Sequence, residues 1–217
     1  EFGYRLGALH VHHGLSRNAD AWGRFCASLC RKWRVPLVVR RIKVVREGAG
    51  LDAAARAARY DAFRRSRAAA IALAHQLDDQ AETVLLNLLR GAGLAGASGM
   101  PAAGRRHGLL ILRPLLEVPR EAILAYADER ELAWVEDESN ADEALTRNFL
   151  RRSVAPVLAR RFPRWRESLA RAARHFAAAD ADASRLLREF LALRGLRAPS
   201  EKRLTEMLRQ LTSARAD

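Results

Sequence analysis

Ala69-Ala70-Ile71-Ala72-Leu73-Ala74-His75-Gln76-Leu77-Asp78-Asp79-Gln80-Ala81-Glu82-Thr83 is the stretch on which the fold turns. Its first six residues are small or apolar and too few for a helix, so they read as a buried strand. The acids that follow open a helix over 79–90, stopped by Gly91. The same alternation extends outward. Upstream, Leu6 to His12 reads as a strand. Asn18 to Trp33 reads as a helix, with Trp22, Phe25, Cys26, Leu29 and Cys30 at helical spacing. Pro36 to Val39 restarts a strand, and Leu51 to Ser66, after Gly48 and Gly50, is an alanine-rich helix. Downstream, a glycine-rich loop (Gly91, Gly93, Gly96, Gly99) leads to a strand at Leu109 to Leu112 and an amphipathic helix at Pro119 to Arg130. Alternation of short apolar strands with helices predicts an α/β fold, a parallel sheet with helices on both faces. From Thr146 onward the strand pattern stops. Pro156 and Pro163 are expected to separate short helices, and Arg164 to Leu193 to form a long one. The chain therefore divides into an α/β part, 1–150, and a basic helical part, 151–217.

The chain has 217 residues, 49% hydrophobic, 29% charged and 6% aromatic, which is the balance of a soluble globular protein with length enough for one large or two modest domains. No window approaches the ~18 apolar residues that a bilayer span needs. The opening Glu1-Phe2-Gly3-Tyr4 has no signal-peptide pattern, which argues against secretion and membrane insertion. Cys26 and Cys30 stand one helical turn apart, where a disulfide would close almost no loop, and a reducing cytoplasm fits them. The net charge is +13, nearly all of it arginine. Abundant alanine beside it is also what skewed base composition produces, so the position of the charge matters more than its total. Residues 151–217 hold 16 Lys/Arg against 7 Asp/Glu, whereas residues 1–150 hold 22 against 18. A polyanionic partner is expected at the basic tail.

Ligands of open parallel sheets sit beyond the carboxyl ends of the strands, and three such places are polar. His10-Val11-His12-His13 has the composition of a metal half-site, but strand alternation is expected to point His12 away from its neighbours, and a polar strand end beside a nucleotide accounts for it better. At the second place, Asp79 as N-cap with Glu82 three residues on makes a capping box. That leaves Asp78 unexplained. Three carboxylates in five residues repel unless a cation offsets them, Mg²⁺ or a substrate ammonium being suited to it. The third is Glu136-Asp137-Glu138-Ser139-Asn140 with Arg147-Asn148, which by itself reads as a solvated loop and a helix start. Arg56 and Arg59 lie on the Leu51 helix, where Asp52 is placed to pair with Arg56.

In order along the chain, His10-Val11-His12-His13-Gly14-Leu15, Arg56-x-x-Arg59-Tyr60 and the run from Ala74 to Thr83 strongly resemble the tRNA(Ile)-lysidine synthetase family. So do Arg90-Gly91-x-Gly93, Arg113-Pro114-Leu115-Leu116, Trp134-x-Glu136-Asp137-Glu138-Ser139-Asn140 and Arg147-Asn148-Phe149-Leu150-Arg151. The resemblance spans most of residues 6–165. It implies an N-type ATP pyrophosphatase with a Rossmann-like domain followed by helical, tRNA-contacting regions. The implied enzyme is an ATP-dependent ligase that adenylates the C2 oxygen of the wobble cytidine in tRNA(Ile) with a CAU anticodon, after which free L-lysine displaces AMP. By matching motifs, it implies catalytic roles for His75, Asp79, Glu82, Arg56 and Arg147. The acids would meet lysine, Asp79 also Mg²⁺, and Arg147 a phosphate or the substrate carboxylate. It implies nucleotide contacts from His10, His13, Arg59 and Asp78, with ATP and Mg²⁺ as cofactors, and it is compatible with a homodimer.

The sequence also departs from that family. The Ser-Gly-Gly-x-Asp-Ser phosphate loop expected upstream of His10 is not among these residues, so weak ATP binding is expected of this stretch by itself. Gln76 stands where many relatives have a second histidine. Residues 185–217 resemble a region that in relatives follows a further intervening segment, the start of a separate tRNA-contacting domain. Two rival classes remain open. A related tRNA-thiolating enzyme would need cysteines near the acids, and Cys26 and Cys30 are far from them in sequence. A non-catalytic tRNA-binding remnant would need only the basic tail. Arg171, Arg174, Arg185 and Arg188 are read mainly as a solvated helix face.

Overall fold

Strand β1 (Ala8–His12) lies parallel to β2 (Leu37–Arg41), with Ala8 opposite Leu37 and His12 opposite Arg41. Between them runs α1 (Ala19–Lys32), which packs on both. The computed structural model describes residues 3–42, 51–106, 108–197 and 199–213. After α2 (Leu51–Arg64), β3 (Ala70–Ala72) pairs in parallel with β5 (Leu109–Leu112), and β4 (Ala103–Arg106) pairs with β5 in antiparallel fashion. The predicted parallel pairings are present. The antiparallel strand was not predicted, because Ala-Gly-Arg-Arg carries no apolar alternation. Two sheets, β1-β2 and β3-β5-β4, replace the single one expected.

The chain forms two compact units that interleave in sequence: residues 1–73, 103–112 and 127–141 in the first, 74–102, 113–126 and 142–217 in the second. The first holds every strand described. Its core is Tyr60 and Phe63 of α2 against Ile111 of β5, with Leu9, Val11, Ile71, Leu73 and Leu109 around them. Alternation explains why it closes: Leu9 and Val11 leave β1 on one face and His10 and His12 on the other. Ile111 is 2% exposed, and burying such a side chain stabilises by roughly 1.5–3 kcal/mol.

The second unit is helical. It contains α3 (Leu77–Leu89), the short α4 (Leu94–Ala97), most of α5 (Arg120–Glu129) and then α6 (Thr146–Phe149). The chain continues through a π-helical turn (Leu150–Val154) into α7 (Ala155–Arg161), followed by α8 (Trp165–Leu193) and α9 (Glu201–Ser213). Pro156 does not separate helices, contrary to expectation. It occupies the first turn of α7, directly after the π-helical turn where the hydrogen-bond ladder is already shifted. Ala81 of α3, fully buried, meets Ala155, Leu158 and Trp165 in a second core, flanked by Leu85 and Leu169. Among the described residues no helix is long and apolar enough to cross a membrane.

Candidate functional site

The acidic turn at the start of α3 is built from the backbone outward. The helix begins at Leu77, and its N-cap is Gln76, not Asp79 as the sequence suggested. The Gln76 side chain accepts from the Asp78 amide (2.7 Å), and Asp79 Oδ2 accepts from the Gln76 amide (3.1 Å). Glu82 is thereby freed of any capping role. It is 3% exposed, and Arg151 from the π-helical turn grips it bidentately, Nε to Oε1 at 2.7 Å and an Nη to Oε2 at 2.9 Å. The same guanidinium reaches Asp79 Oδ1 at 3.4 Å. The Glu82 hydrogen bond is the main reason that the Arg151 pKa is raised.

Asp78 has different partners. Its Oδ1 is 2.5 Å from Arg166 Nε of α8, an ion pair whose N–H is not aligned for a hydrogen bond, and its Oδ2 accepts from the Arg120 amide at the start of α5 (3.0 Å). Arg166 also stacks on Trp165, 4.9 Å from the ring centre. Arg147 of α6 donates to the Thr83 hydroxyl and lies 3.5 Å from the Asp79 carbonyl oxygen. His75, half-buried, is the residue before the cap. The structure therefore brings together His75, Asp78, Asp79, Glu82 and Arg147 around one helix turn, and adds Arg151 and Arg166.

Those two arginines alter the electrostatic expectation. The cations that offset the three carboxylates belong to the protein itself. All six carboxylate oxygens of Asp78, Asp79 and Glu82 face a protein N–H or guanidinium. Mg²⁺ needs open hard oxygens in near-octahedral array, so this arrangement does not fit it. No cluster of three or more His, Cys, Asp or Glu side chains suited to a metal occurs among the described residues.

The first unit carries the other expected residues. His12 does not point away from its neighbours: its ring is 6.2 Å from that of His10, edge to face, because the two share one side of β1. His12 Nε2 meets Asp20 (3.1 Å), which also accepts from Arg41 (2.7 Å), and these hold the Asp20 pKa down. His10 Nδ1 lies 3.7 Å from the Cys26 thiol. The His13 pKa is lowered, first by burial and then by Arg59, His10 and His12, and that of His10 by burial and then His12. Arg56 sits 5.3 Å from the Tyr60 ring centre and Arg106 4.5 Å. A cavity of about 440 Å³ is lined by Arg56, Tyr60, Asp61, Arg64 and Arg106. The Asp52 side chain, expected to pair with Arg56, lies outside the described residues. The acidic loop is not merely solvated: Glu138 accepts from Ser16 Oγ (2.5 Å) and Asn18 Nδ2 (3.0 Å), anchoring the turn after β1.

Compared with known proteins, residues 1–158 match the family model of the PP-loop domain, and residues 176–217 that of the TilS substrate binding domain. A tRNA(Ile)-lysidine synthase of Chromobacterium violaceum is 54% identical over 171 residues, covering 77% of this chain and 39% of the relative. Those of Escherichia coli O157:H7 and Ralstonia nicotianae are each 46% identical, covering 88% and 98% of this chain and 44% and 53% of the relative. The chain belongs to the tRNA(Ile)-lysidine synthase family of PP-loop proteins. It spans about half the length, or less, of these curated relatives. Among solved structures, the U34-tRNA thiolase NcsA from Methanococcus maripaludis, with its [4Fe-4S] cluster, aligns with a TM-score of 0.63. It covers 79% of this chain and 61% of that one, at 16% identity, a likeness of fold. In this PP-loop chain Cys26 and Cys30 are free thiols on α1, and burial raises the pKa of Cys26.

Proposed function

We propose that the protein carrying this chain is an ATP-dependent ligase that forms a C–N bond in tRNA. Its substrates are ATP, free L-lysine and tRNA(Ile) with a CAU anticodon, in the cytoplasm. The observation that carries this reading is the union in one chain of a PP-loop domain over 1–158 and a TilS substrate-binding match over 176–217. In the first step the C2 oxygen of the wobble cytidine attacks the α-phosphorus of ATP and pyrophosphate leaves. In the second the lysine ε-amine adds to C2, the C2–O bond breaks with release of AMP, and the amine gives up its proton. Adenylation is needed because an unactivated carbonyl oxygen is a poor leaving group.

In this reading Asp79 and Glu82 receive a lysine ammonium, His75 and Arg147 flank it, and Arg147 meets a phosphate or the substrate carboxylate. Arg56, Arg59, His10 and His13 serve the nucleotide. Asp78, locked to Arg166 and to the start of α5, is better suited to holding the turn than to touching a ligand. Because Arg151 already occupies both oxygens of Glu82, entry of the ammonium is an exchange of one cation for another. The guanidinium is about one-third exposed and has solvent to move into.

The test is incubation of the full-length protein with labelled lysine, ATP and a tRNA(Ile) transcript. ATP-dependent label in the RNA, matched by pyrophosphate and AMP and lost when the wobble cytidine is replaced by uridine, is expected. RNA binding without pyrophosphate release would return the binding-only reading. Sulfur incorporation without lysine would return the thiolating one.

A further inference from the structure

From the last two residues of α7 through the turn into α8 the chain reads Arg160-Arg161-Phe162-Pro163-Arg164, five consecutive exposed residues. Some arginines of the helical region have acidic partners, Arg152 with Glu143, Arg174 with Glu117, Arg185 with Asp182 and Glu189, and others, such as Arg171, have none among the described residues. Arg160, Arg161 and Arg164 have none among the described residues. Phe162 is 60% exposed in their midst. A ring that leaves more than half of its surface in water beside unpaired charges adds little to the core.

The backbone that carries the ring is nevertheless fixed. The Phe162 amide donates to the Leu158 carbonyl (2.7 Å), its own carbonyl accepts from the Trp165 amide (3.0 Å), and Pro163 fixes the next φ. Trp165, 6% exposed, ties the loop to the core against Ala81. Arg160 and Arg161 complement the C-terminal dipole of α7, which is their ordinary explanation. That explanation covers neither Arg164 nor Phe162.

We infer that this loop is a contact for an unpaired stretch of RNA, with a base stacked on Phe162 and phosphates held by Arg160, Arg161 and Arg164. The inference rests on the ligase reading for its partner and adds where that partner is touched. Guanidinium groups match phosphate in planar, forked geometry. An exposed ring on a fixed backbone selects single strands, because bases in a duplex are already stacked. Helical structure is continuous from Arg147 to Arg161, so at 1.5 Å per residue the loop stands about 20 Å along the run that delivers Arg147 and Arg151 to the acids. A nucleotide at the acidic turn and its neighbours in the same RNA loop can thus engage both ends.

The experiment measures binding of the full-length protein to a labelled anticodon stem-loop RNA and to a duplex of equal length, across a salt series. Phe162→Ala is expected to weaken stem-loop binding about tenfold, within the range for one stacked base, while Phe162→Trp restores it. The triple change of Arg160, Arg161 and Arg164 to Ala is expected to lower the log–log salt slope by about 2, near 0.7 per single-strand phosphate. Thermal melting should shift by no more than a few degrees in any variant, since these side chains are mostly exposed and Arg160 and Arg161 only complement the dipole of α7. Unchanged affinity and slope in the variants, or equal loss on the duplex, would overturn the inference while leaving the ligase reading intact. Absence of any RNA binding by the unaltered protein would sink both.

Discussion

Glu82 is held by Arg151, 69 positions away in sequence, and that contact decides what a substitution at either residue does. As half of a capping box, Glu82 would lose about 1–2 kcal/mol when changed to alanine. As a buried carboxylate in a bidentate pair, it costs most when its partner goes, because the charge stays behind uncompensated. Discounted for the partial exposure of the guanidinium, Arg151→Ala is expected to destabilise by about 2 kcal/mol. Arg152→Ala next to it, which breaks an exposed pair with Glu143, should cost less than about 1 kcal/mol. Urea unfolding of both variants checks this, and equal losses would return Glu82 to an ordinary surface acid. The sequence exposed the acids because three in five residues demand compensation. It hid the compensating group because ion pairing between distant segments leaves no local period. His10 of β1 and His13 just after it make stability depend on pH. Burial lowers the pKa of both His13 and His10 below 6.5, so near that pH the unfolded chain binds more protons than the folded one. Stability should hold above about pH 6.5 and fall as the pH drops toward the folded-state values. Melting temperatures between pH 7.5 and 5 for the parent and for His13→Asn test it, the variant being expected to flatten the slope.

At the scale of elements, the strand–helix alternation was legible because burial writes it into every segment. The positions of the caps were not. Helix α3 starts two residues before the expected Asp79, since glutamine, a poor capping residue by type, has here an extended backbone (φ −127°, ψ −179°) and a side chain that reaches the Asp78 amide. The β4–β5 hairpin escaped notice for the opposite reason, being fixed by pairing to β5 and a left-handed Gly108 (φ 79°) instead of its own pattern. Among the glycines of the loop after α3, Gly99 has the sharpest constraint. Its φ is 67°, and a Cβ there would meet Gln80 Oε1 and Val84 Cγ2 at 2.9 Å. Gln80 has no room to yield, because its amide clasps both backbone groups of Met100, at 2.8 and 3.0 Å. Gly99→Ala should therefore destabilise by more than about 1 kcal/mol, backbone strain and collision adding. Gly93→Ala, with open space around it, serves as the control in the same melts.

At the scale of the molecule, the charge asymmetry was readable from composition, although among the described residues exposed arginines without an acidic partner occur in both parts, Arg24 and Arg34 in the first as well as Arg160 and Arg164 in the second. The route of the chain through two interleaved units was not readable, because only tertiary contacts define it. The boundary drawn at residue 150 from the loss of strands, and the end of the PP-loop match at 158, both fall inside the second unit. This has a consequence for cutting the chain. A piece ending at 158 keeps α3 and Arg151 but loses Trp165, Leu169 and Arg166. Ala81 and Val84, both fully buried, would lie beneath a face stripped of α8, and Asp78, whose side chain is only 14% exposed, would lose its cation. A piece ending at 197 retains all of these contacts and gives up α9, where Leu204 is the well-buried residue among those described. Leaving a buried charge uncompensated and opening a core are each worth several kcal/mol, against a typical total of 5–15. The 1–158 piece is therefore expected to lose the cooperative unfolding of its second unit and to bind a dye specific for exposed apolar surface. The 1–197 piece should melt in one cooperative step, within several degrees of the whole chain. Calorimetry of the three proteins distinguishes these outcomes, and a 1–158 piece as stable as the whole would mean that α8 is a dispensable attachment to the acidic turn.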